Sequence, residues 1–129
     1  MSNAIPEEAL ELLTGGVHVA HLATCYEDRP HVAPVWYRYE DGTVEVVTGG
    51  RKLRNIRENS RVALSVQKDV GGDAEWMVAL RGTATVIEDD AENREATRRI
   101  NEKYGADEDA YDQNTLVRID VASATVRTY

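Results

Sequence analysis

The residues best suited to chemistry lie between Thr48 and Ile56, where a glycine turn joins a β-branched run to a short basic helix. Gly49-Gly50 forms the turn, and Arg51 and Lys52 follow it directly. A helix start presents unpaired backbone N–H groups and the positive end of the helix dipole, so it readily binds an anion. Thr48 adds a hydroxyl group. The stretch indicates an anion-binding site, and a basic helix start on an ordinary surface is the alternative.

The overall charge makes these cations conspicuous. The 129 residues include 23 acidic and 15 basic side chains, for a formal net charge of −8. Four of the basic side chains fall within positions 51–57. A surface of this sign repels nucleic-acid phosphates, so we expect no nucleic-acid partner.

Cysteine and histidine give no support to a metal site. The single cysteine, Cys25, excludes an internal disulfide and a multi-cysteine metal site. His18 and His21 are three residues apart, so on a strand they point to opposite faces and do not share a metal. His31 stands alone. We therefore expect the three histidines to be ordinary strand residues and the chain to hold no metal.

The chain also lacks the apolar runs of a membrane protein. No run approaches the roughly 18 residues of a membrane span, and positions 1–4 have neither the basic start nor the apolar core of a signal peptide. We expect a cytoplasmic protein with no membrane partner. A length of 129 residues predicts a single domain over 1–129.

Short β-branched runs separated by turn residues predict a mainly β fold. Six antiparallel strands in so few residues are expected to form a β-barrel, since closure avoids bare sheet edges. Two or three helices are expected to cover its openings. The predicted strands are 17–26, 30–39, 43–48, 61–66, 76–86 and 116–129; the predicted helices are 6–13, 51–59 and 90–104; polar loops are predicted at 68–75 and 106–114.

Two residues inside predicted strands require special positions. Pro34 lacks a backbone N–H, which places it at a sheet edge, at a bulge or where the backbone meets a ligand. Gly82 indicates a bulge or a close backbone approach.

Four segments, taken in order and spacing, resemble the split-barrel flavoproteins related to pyridoxamine 5′-phosphate oxidase, including their deazaflavin-dependent members. The segments are 29–36, 48–56, 61–66 and 80–84. The resemblance implies a six-stranded antiparallel split barrel of the FMN-binding type. It also implies a homodimer that holds flavin mononucleotide (FMN) in two grooves at its interface.

The resemblance further implies which residues meet the cofactor. Arg51 and Lys52 match the basic pair that holds the flavin phosphate, and Val47 and Thr48 lie beside the cofactor. The strand along the isoalloxazine ring is matched by residues 33–36. The cofactor-binding residues so implied are Ala33, Pro34, Val35, Trp36, Val47, Thr48, Arg51 and Lys52.

The implied function is that of an FMN-binding oxidoreductase that moves hydride to or from an unknown small substrate. A deazaflavin-dependent reductase on the same fold is one alternative, and a non-catalytic flavin carrier or sensor is another. Ala33 stands where the oxidase itself has a second arginine for the flavin phosphate, and Met77 where it has a glutamine near the ring. The chain also ends before the segment that binds the vitamin phosphate in the oxidase, so we expect a substrate other than pyridoxamine phosphate. No residue can be assigned a catalytic role from the sequence.

Overall fold

Three helices and seven strands make up residues 5–129, which the computed structural model describes. No helix within this range combines the length and apolar character needed to cross a membrane. The signal-peptide prediction concerns residues 1–4, which lie outside the described residues. The elements are α1 (Glu7–Thr14), β1 (Ala20–Tyr26), β2 (Arg29–Val35), β3 (Arg38–Glu40), β4 (Thr43–Thr48), α2 (Gly50–Glu58), β5 (Arg61–Val70), β6 (Asp73–Ile87), α3 (Asp90–Tyr104) and β7 (Thr115–Thr128).

The strands form one antiparallel sheet in the order β2-β1-β5-β6-β7-β4-β3. The two edge strands, β2 and β3, are consecutive in the chain. From Val35 to Arg38 the chain spans at most about 11 Å, so the sheet curls until its edges meet. β2 also contacts β4 without pairing to it. The mainly β barrel is thus confirmed, and its split lies between β2 and β4.

The strand predicted at 30–39 is interrupted at Trp36 and Tyr37, so the sheet has seven strands and the prediction of six is wrong. Two side chains of α3 form hydrogen bonds with the backbone groups of Tyr37. Its N–H donates to the Tyr104 hydroxyl at 3.1 Å, and its carbonyl accepts from Lys103 Nζ at 2.7 Å. The Tyr37 ring is fully buried, and its hydroxyl donates to the Leu13 carbonyl at 2.7 Å. No strand partner is needed at the break.

The loop predicted at 68–75 is also wrong in extent, because β5 and β6 continue through it to a tight hairpin. Gly71 and Gly72 form the turn with φ of 58° and 93°. Two successive residues with positive φ match the twist of a two-residue hairpin, and glycine adopts that conformation without strain.

Two predictions about single residues are confirmed. Pro34 lies on the edge strand β2, paired only with His21 of β1. The register of β6 against β7 shifts between Arg81 and Gly82. A Cβ on Gly82 would overlap the Asp120 carbonyl oxygen, so the bulge brings two backbones too close for any side chain.

Polar contacts define the ends of α3 and fix α2 to the barrel. The Asp89 side chain accepts from Glu92 N–H at 2.9 Å and caps α3, which ends at Gly105 with φ of 72°. Asn55 of α2 donates to the Thr24 hydroxyl of β1 at 3.0 Å, and both side chains are buried. The start of α2 therefore has a defined position beside the barrel split.

Candidate functional site

A pocket of about 490 Å³ opens at the split, between the ends of β2 and β4. The start of α2, one face of α3 and the segment that follows α3 complete its wall. This volume lies within the range of small-molecule and cofactor sites. Pro34, Val35 and Trp36 form the β2 side, and Val47 and Thr48 form the β4 side.

The start of α2 gives the pocket a region suited to an anion. Gly49 is the N-cap and has no side chain to accept from the first helical N–H groups. Gly50 has a φ of 63°, which glycine adopts without strain. Both glycines line the pocket, so the uncapped N–H groups and the positive end of the helix dipole lie at its wall.

Lys52 is the cation that reaches this wall. Its half-buried side chain lines the pocket, whereas Arg51 is exposed and lies outside the lining. Within residues 5–129 neither side chain forms an ion pair with a carboxylate. Arg57, at the other end of α2, pairs with Glu88 at 2.7 Å. The ammonium of Lys52 is therefore available to an anion in the pocket.

Aromatic rings build another part of the wall. Trp36 is stacked on Tyr104, with ring centroids 4.6 Å apart and planes 6° apart. Tyr111 meets Trp36 edge-on, at 5.4 Å and 86°. Trp36 and Tyr111 line the pocket, and Tyr104 lies behind Trp36. Tyr104 thereby fixes the plane of the Trp36 ring.

The α3 face of the pocket was not anticipated from the sequence. Thr97, Ile100 and Asn101 line it, and all three are buried. Ile100 is an apolar residue of α3, and nothing in the sequence assigned a role to the two polar residues beside it. Thr97 and Asn101 are four residues apart on one helical face, and this spacing of polar residues beside an apolar stripe was the available signal.

The segment after α3 was predicted only as an acidic loop, and it contributes Tyr111 and Asn114 to the pocket. Asn101 Nδ2 donates to the carbonyls of Glu108 at 3.2 Å and Ala110 at 2.8 Å. Asn114 lies against Gly49, where a Cβ would be 3.2 Å from its Oδ1. This loop therefore reaches from α3 to the start of α2.

The polar groups behind Trp36 are strongly affected by burial. Burial, with a smaller effect of the Arg38 charge, lowers the pKa of Lys103 to about 8. Its ammonium lies 3.7 Å from the Tyr37 ring centroid. Burial raises the pKa of Tyr37 and of Tyr104. The tyrosines are thus neutral hydrogen-bonding groups that position the strand break and Trp36.

Six of the eight predicted cofactor-binding residues surround this one pocket. They are Pro34, Val35, Trp36, Val47, Thr48 and Lys52. Ala33 and Arg51 lie outside the lining, Ala33 on β2 opposite Leu22 and Arg51 on the exposed side of α2. Their contact with a cofactor stays a prediction for all eight. No three His, Cys, Asp or Glu side chains in the described part of the chain are grouped to hold a metal.

Comparison with known proteins agrees with this architecture. The family model of pyridoxamine 5′-phosphate oxidase matches residues 6–128. No curated protein matches the chain. Solved structures that share the fold include the following three, each less than 25% identical to this chain.

An FAD-binding protein from Mesorhizobium loti is 22% identical with a TM-score of 0.77, over 100% of this chain and 96% of that one. An F420 reductase is 21% identical with a TM-score of 0.73, and the match covers 89% of this chain and 94% of that one. The heme storage protein HutZ from Vibrio cholerae is 18% identical with a TM-score of 0.78, and the match covers 95% of this chain and 93% of that one.

Proposed function

The chain belongs to the pyridoxamine 5′-phosphate oxidase family, and on that premise we propose that it is a homodimeric FMN-binding oxidoreductase acting on a small molecule. The observation that carries the proposal is the pairing, in one pocket, of an uncapped helix start bearing Lys52 with the fixed ring of Trp36. FMN has both features that such a pocket recognises, a phosphate and a planar ring.

The phosphate end of the cofactor fits the start of α2. Lys52 and the free N–H groups after Gly49 would bind the phosphate through charge-assisted hydrogen bonds worth about 1.5–3 kcal/mol each. The buried hydroxyl of Thr48, which also lines the pocket, offers a further donor.

The ring end fits the β2 side of the pocket. Bound flavin would supply the hydride chemistry, while the protein orients it and excludes water. Pro34 and Val35 lie on the edge strand β2, which pairs with β1 on one side and has no hydrogen-bonded partner strand on its other side. The carbonyl groups on that side are available to the polar edge of a ring, and the proline leaves no N–H unpaired there.

Three observations favour FMN over other cofactors of related proteins. The loop that contributes Tyr111 also carries Asp107, Glu108, Asp109 and Asp112. Glu108, Asp109 and Asp112 line a separate cavity with Arg94 and Arg98, so their charges would repel the acidic tail of a deazaflavin coenzyme only where that tail leaves the pocket. One relative stores heme, but none of the described residues lining this pocket is His, Cys or Met, the commonest ligands of heme iron. Among the described residues, the pocket lining includes one helix start, that of α2, which would provide one binding site for a phosphate group.

The second copy of the chain is proposed to pack on the outer face of the sheet. A shallow groove of about 280 Å³ runs across β1, β5, β6 and β7, and its floor consists mainly of small side chains such as Ala23, Ala63 and Ala79. Val32, 63% exposed, lies at its side. Val32 and Pro34 share one face of β2, and Pro34 lines the pocket. A partner packed on this face would therefore also border the pocket.

A non-catalytic flavin carrier is the second candidate. Lys52 and Tyr111 are the only titratable side chains among the described residues that line the pocket. The pocket thus has no carboxylate or imidazole to act as general acid or base. Hydride transfer from flavin does not require one, so activity separates the two candidates.

The test begins with the absorption spectrum of the purified protein and mass analysis of the ligand released on denaturation. We expect a flavin spectrum and FMN. Apoprotein titrated with FMN and with the deazaflavin coenzyme should bind FMN more tightly. Turnover with a nicotinamide reductant and a panel of acceptors supports the oxidoreductase, and tight binding without turnover supports the carrier. Apoprotein that quenches neither cofactor's fluorescence contradicts both.

A further inference from the structure

Tyr111 is an aromatic residue held in an unusual conformation at the mouth of the pocket. Its φ is 60°, its side chain is 58% exposed, and its ring lies edge-on to Trp36. A bulky residue at positive φ is rare and costs on the order of 1–3 kcal/mol, so it persists only where its surroundings impose it. Strained residues of this kind cluster at ligand-binding sites.

The surroundings that impose this conformation are hydrogen bonds to the carbonyl groups on both sides of the Tyr111 Cα. The 2% exposed Asn101 donates from Nδ2 to the Ala110 carbonyl at 2.8 Å, immediately before Tyr111. Asn114 N–H donates to the Tyr111 carbonyl at 3.1 Å and closes a turn around it. Asn101 and Asn114 themselves line the pocket. The position of Tyr111 is therefore set from inside the pocket.

Trp36 and Tyr111 together form an aromatic corner at the pocket wall. Tyr104 covers one face of Trp36 and fixes its plane, and Tyr111 stands at 86° to it. Both rings border the pocket volume. An exposed aromatic surface beside a rigid one gains free energy when a planar ring packs against it.

We infer that Tyr111 is a cofactor-binding residue that contacts the ring system of the bound cofactor, whereas Lys52 binds its phosphate. This inference rests on the proposed flavin-binding function and extends it to a residue on the loop after α3. It predicts that Tyr111 contributes to the binding of any flavin, whereas Lys52 contributes only to the binding of a flavin that bears a phosphate.

The test compares FMN with riboflavin, which has the same ring and no phosphate. Tyr111→Asn removes the ring and keeps a residue that tolerates positive φ, so the fold is retained. We expect it to weaken binding of both ligands about tenfold, as for the loss of one stacking partner. It should also make bound flavin more accessible to iodide quenching. Tyr111→Phe should stay within twofold of wild type for both ligands.

Two further variants calibrate the measurement. Lys52→Ala should weaken FMN binding and leave riboflavin binding within twofold. Tyr129→Asn alters a 68% exposed tyrosine outside the pocket lining and should change neither affinity. Thermal unfolding of each variant identifies any loss of fold.

The outcomes separate this inference from the proposed function. Wild-type protein that binds neither FMN nor riboflavin overturns both. Wild-type binding together with unchanged affinities in Tyr111→Asn overturns the inference alone. A loss confined to FMN in Tyr111→Asn also overturns it, because the contact would then be with the phosphate.

Discussion

Lys103 makes two contacts with Tyr37: its Nζ donates to the Tyr37 carbonyl at 2.7 Å and lies 3.7 Å from the Tyr37 ring centroid. Together with the Tyr104 hydroxyl, which accepts from Tyr37 N–H and donates to the His18 carbonyl at 2.6 Å, it replaces the missing strand partner at the β2–β3 break. The break turns Trp36 out of the sheet and onto Tyr104. A contact of the last turn of α3 thus positions a wall of the pocket.

The burial of Lys103 predicts a pH dependence of stability. Its pKa is lowered to about 8 in the folded protein from 10.5. Between these values the unfolded chain binds a proton that the folded chain lacks, so the free energy of unfolding rises with pH above about 8. Urea unfolding from pH 7.5 to 9.5 should show this rise in wild type and a smaller one in Lys103→Met.

Lys68→Met is the control for this experiment, since the Lys68 side chain is 51% exposed and pairs with Glu75 only at 3.7 Å. It should keep the pH dependence of wild type. An equal rise in wild type and Lys103→Met would show that another group is responsible. Tyr37 and Tyr104 have raised pKa values in the folded protein, so their ionisation in the unfolded chain opposes the rise from about pH 10 upward, and the limit of 9.5 keeps this effect small.

The strand break shows why part of the fold could not be predicted. The run at 30–39 has the local pattern of a continuous strand. Lys103 and Tyr104, which interrupt it, lie 66 and 67 residues after Tyr37 in the sequence. Gly71-Gly72 is different, because its turn signal is local and was available in the sequence. The β-branched runs and the α2 start depend on local patterns as well, and these predicted the barrel.

The pocket could likewise be predicted only where it depends on local patterns. The wall made by β2, β4 and α2 consists of consecutive residues with a recognisable order. The wall made by Asn101 and Tyr111 depends on hydrogen bonds from the Asn101 side chain to carbonyl groups of the loop after α3. Composition does not reveal which carbonyl groups an asparagine side chain will bind. Lys52 and Arg51 illustrate the remaining limit, since neighbouring residues of one helix differ in which side of it they occupy.

Lys52 is predicted to dominate the binding of the phosphate. Lys52→Ala removes one charge-assisted interaction of about 1.5–3 kcal/mol, so the Kd for FMN should rise about 10- to 100-fold. Arg51→Ala should raise it less, because Arg51 is exposed and outside the pocket lining. Isothermal titration of apoprotein measures each Kd.

Arg57→Ala is the matched control, since it removes a cation of the same helix that already pairs with Glu88. It should leave the Kd for FMN within twofold. If Arg57→Ala and Lys52→Ala weaken binding equally, the effect is one of net charge and the α2 start is not the phosphate site.

The buried contact between Asn55 and Thr24 is predicted to fix α2 on the barrel. Asn55→Ala leaves the Thr24 hydroxyl without its donor and should lower the free energy of unfolding by about 1–3 kcal/mol. Thr24→Val should act similarly, and the double variant should lose less than the sum of the two. Chemical denaturation measures all three.

Asn59→Ala serves as the control at the other end of α2, where Asn59 Oδ1 accepts from Arg61 N–H at 3.1 Å in an exposed position. Its loss should be smaller than that of Asn55→Ala. Additive losses in the Asn55 and Thr24 double variant would mean that the two side chains stabilise the fold independently.

The outer face of the sheet is predicted to hold the second copy of the chain, and identical substitutions at two alanines test this. Ala79→Glu places a carboxylate in the groove of small residues on β6, where a dimer would bury it without a partner. Ala91→Glu places the same group on the exposed first turn of α3, where the helix dipole favours it. Sedimentation velocity should give a dimer for wild type and Ala91→Glu and a monomer for Ala79→Glu.

The same pair of variants connects assembly to cofactor binding. Because Val32 in the groove and Pro34 in the pocket share one face of β2, loss of the partner should expose the ring end of the pocket to solvent and weaken FMN binding in Ala79→Glu. Circular dichroism should show an intact fold in both variants. A folded Ala79→Glu protein that remains dimeric would place the interface on another surface, and a monomer that binds FMN as tightly as wild type would mean that one chain forms the whole site.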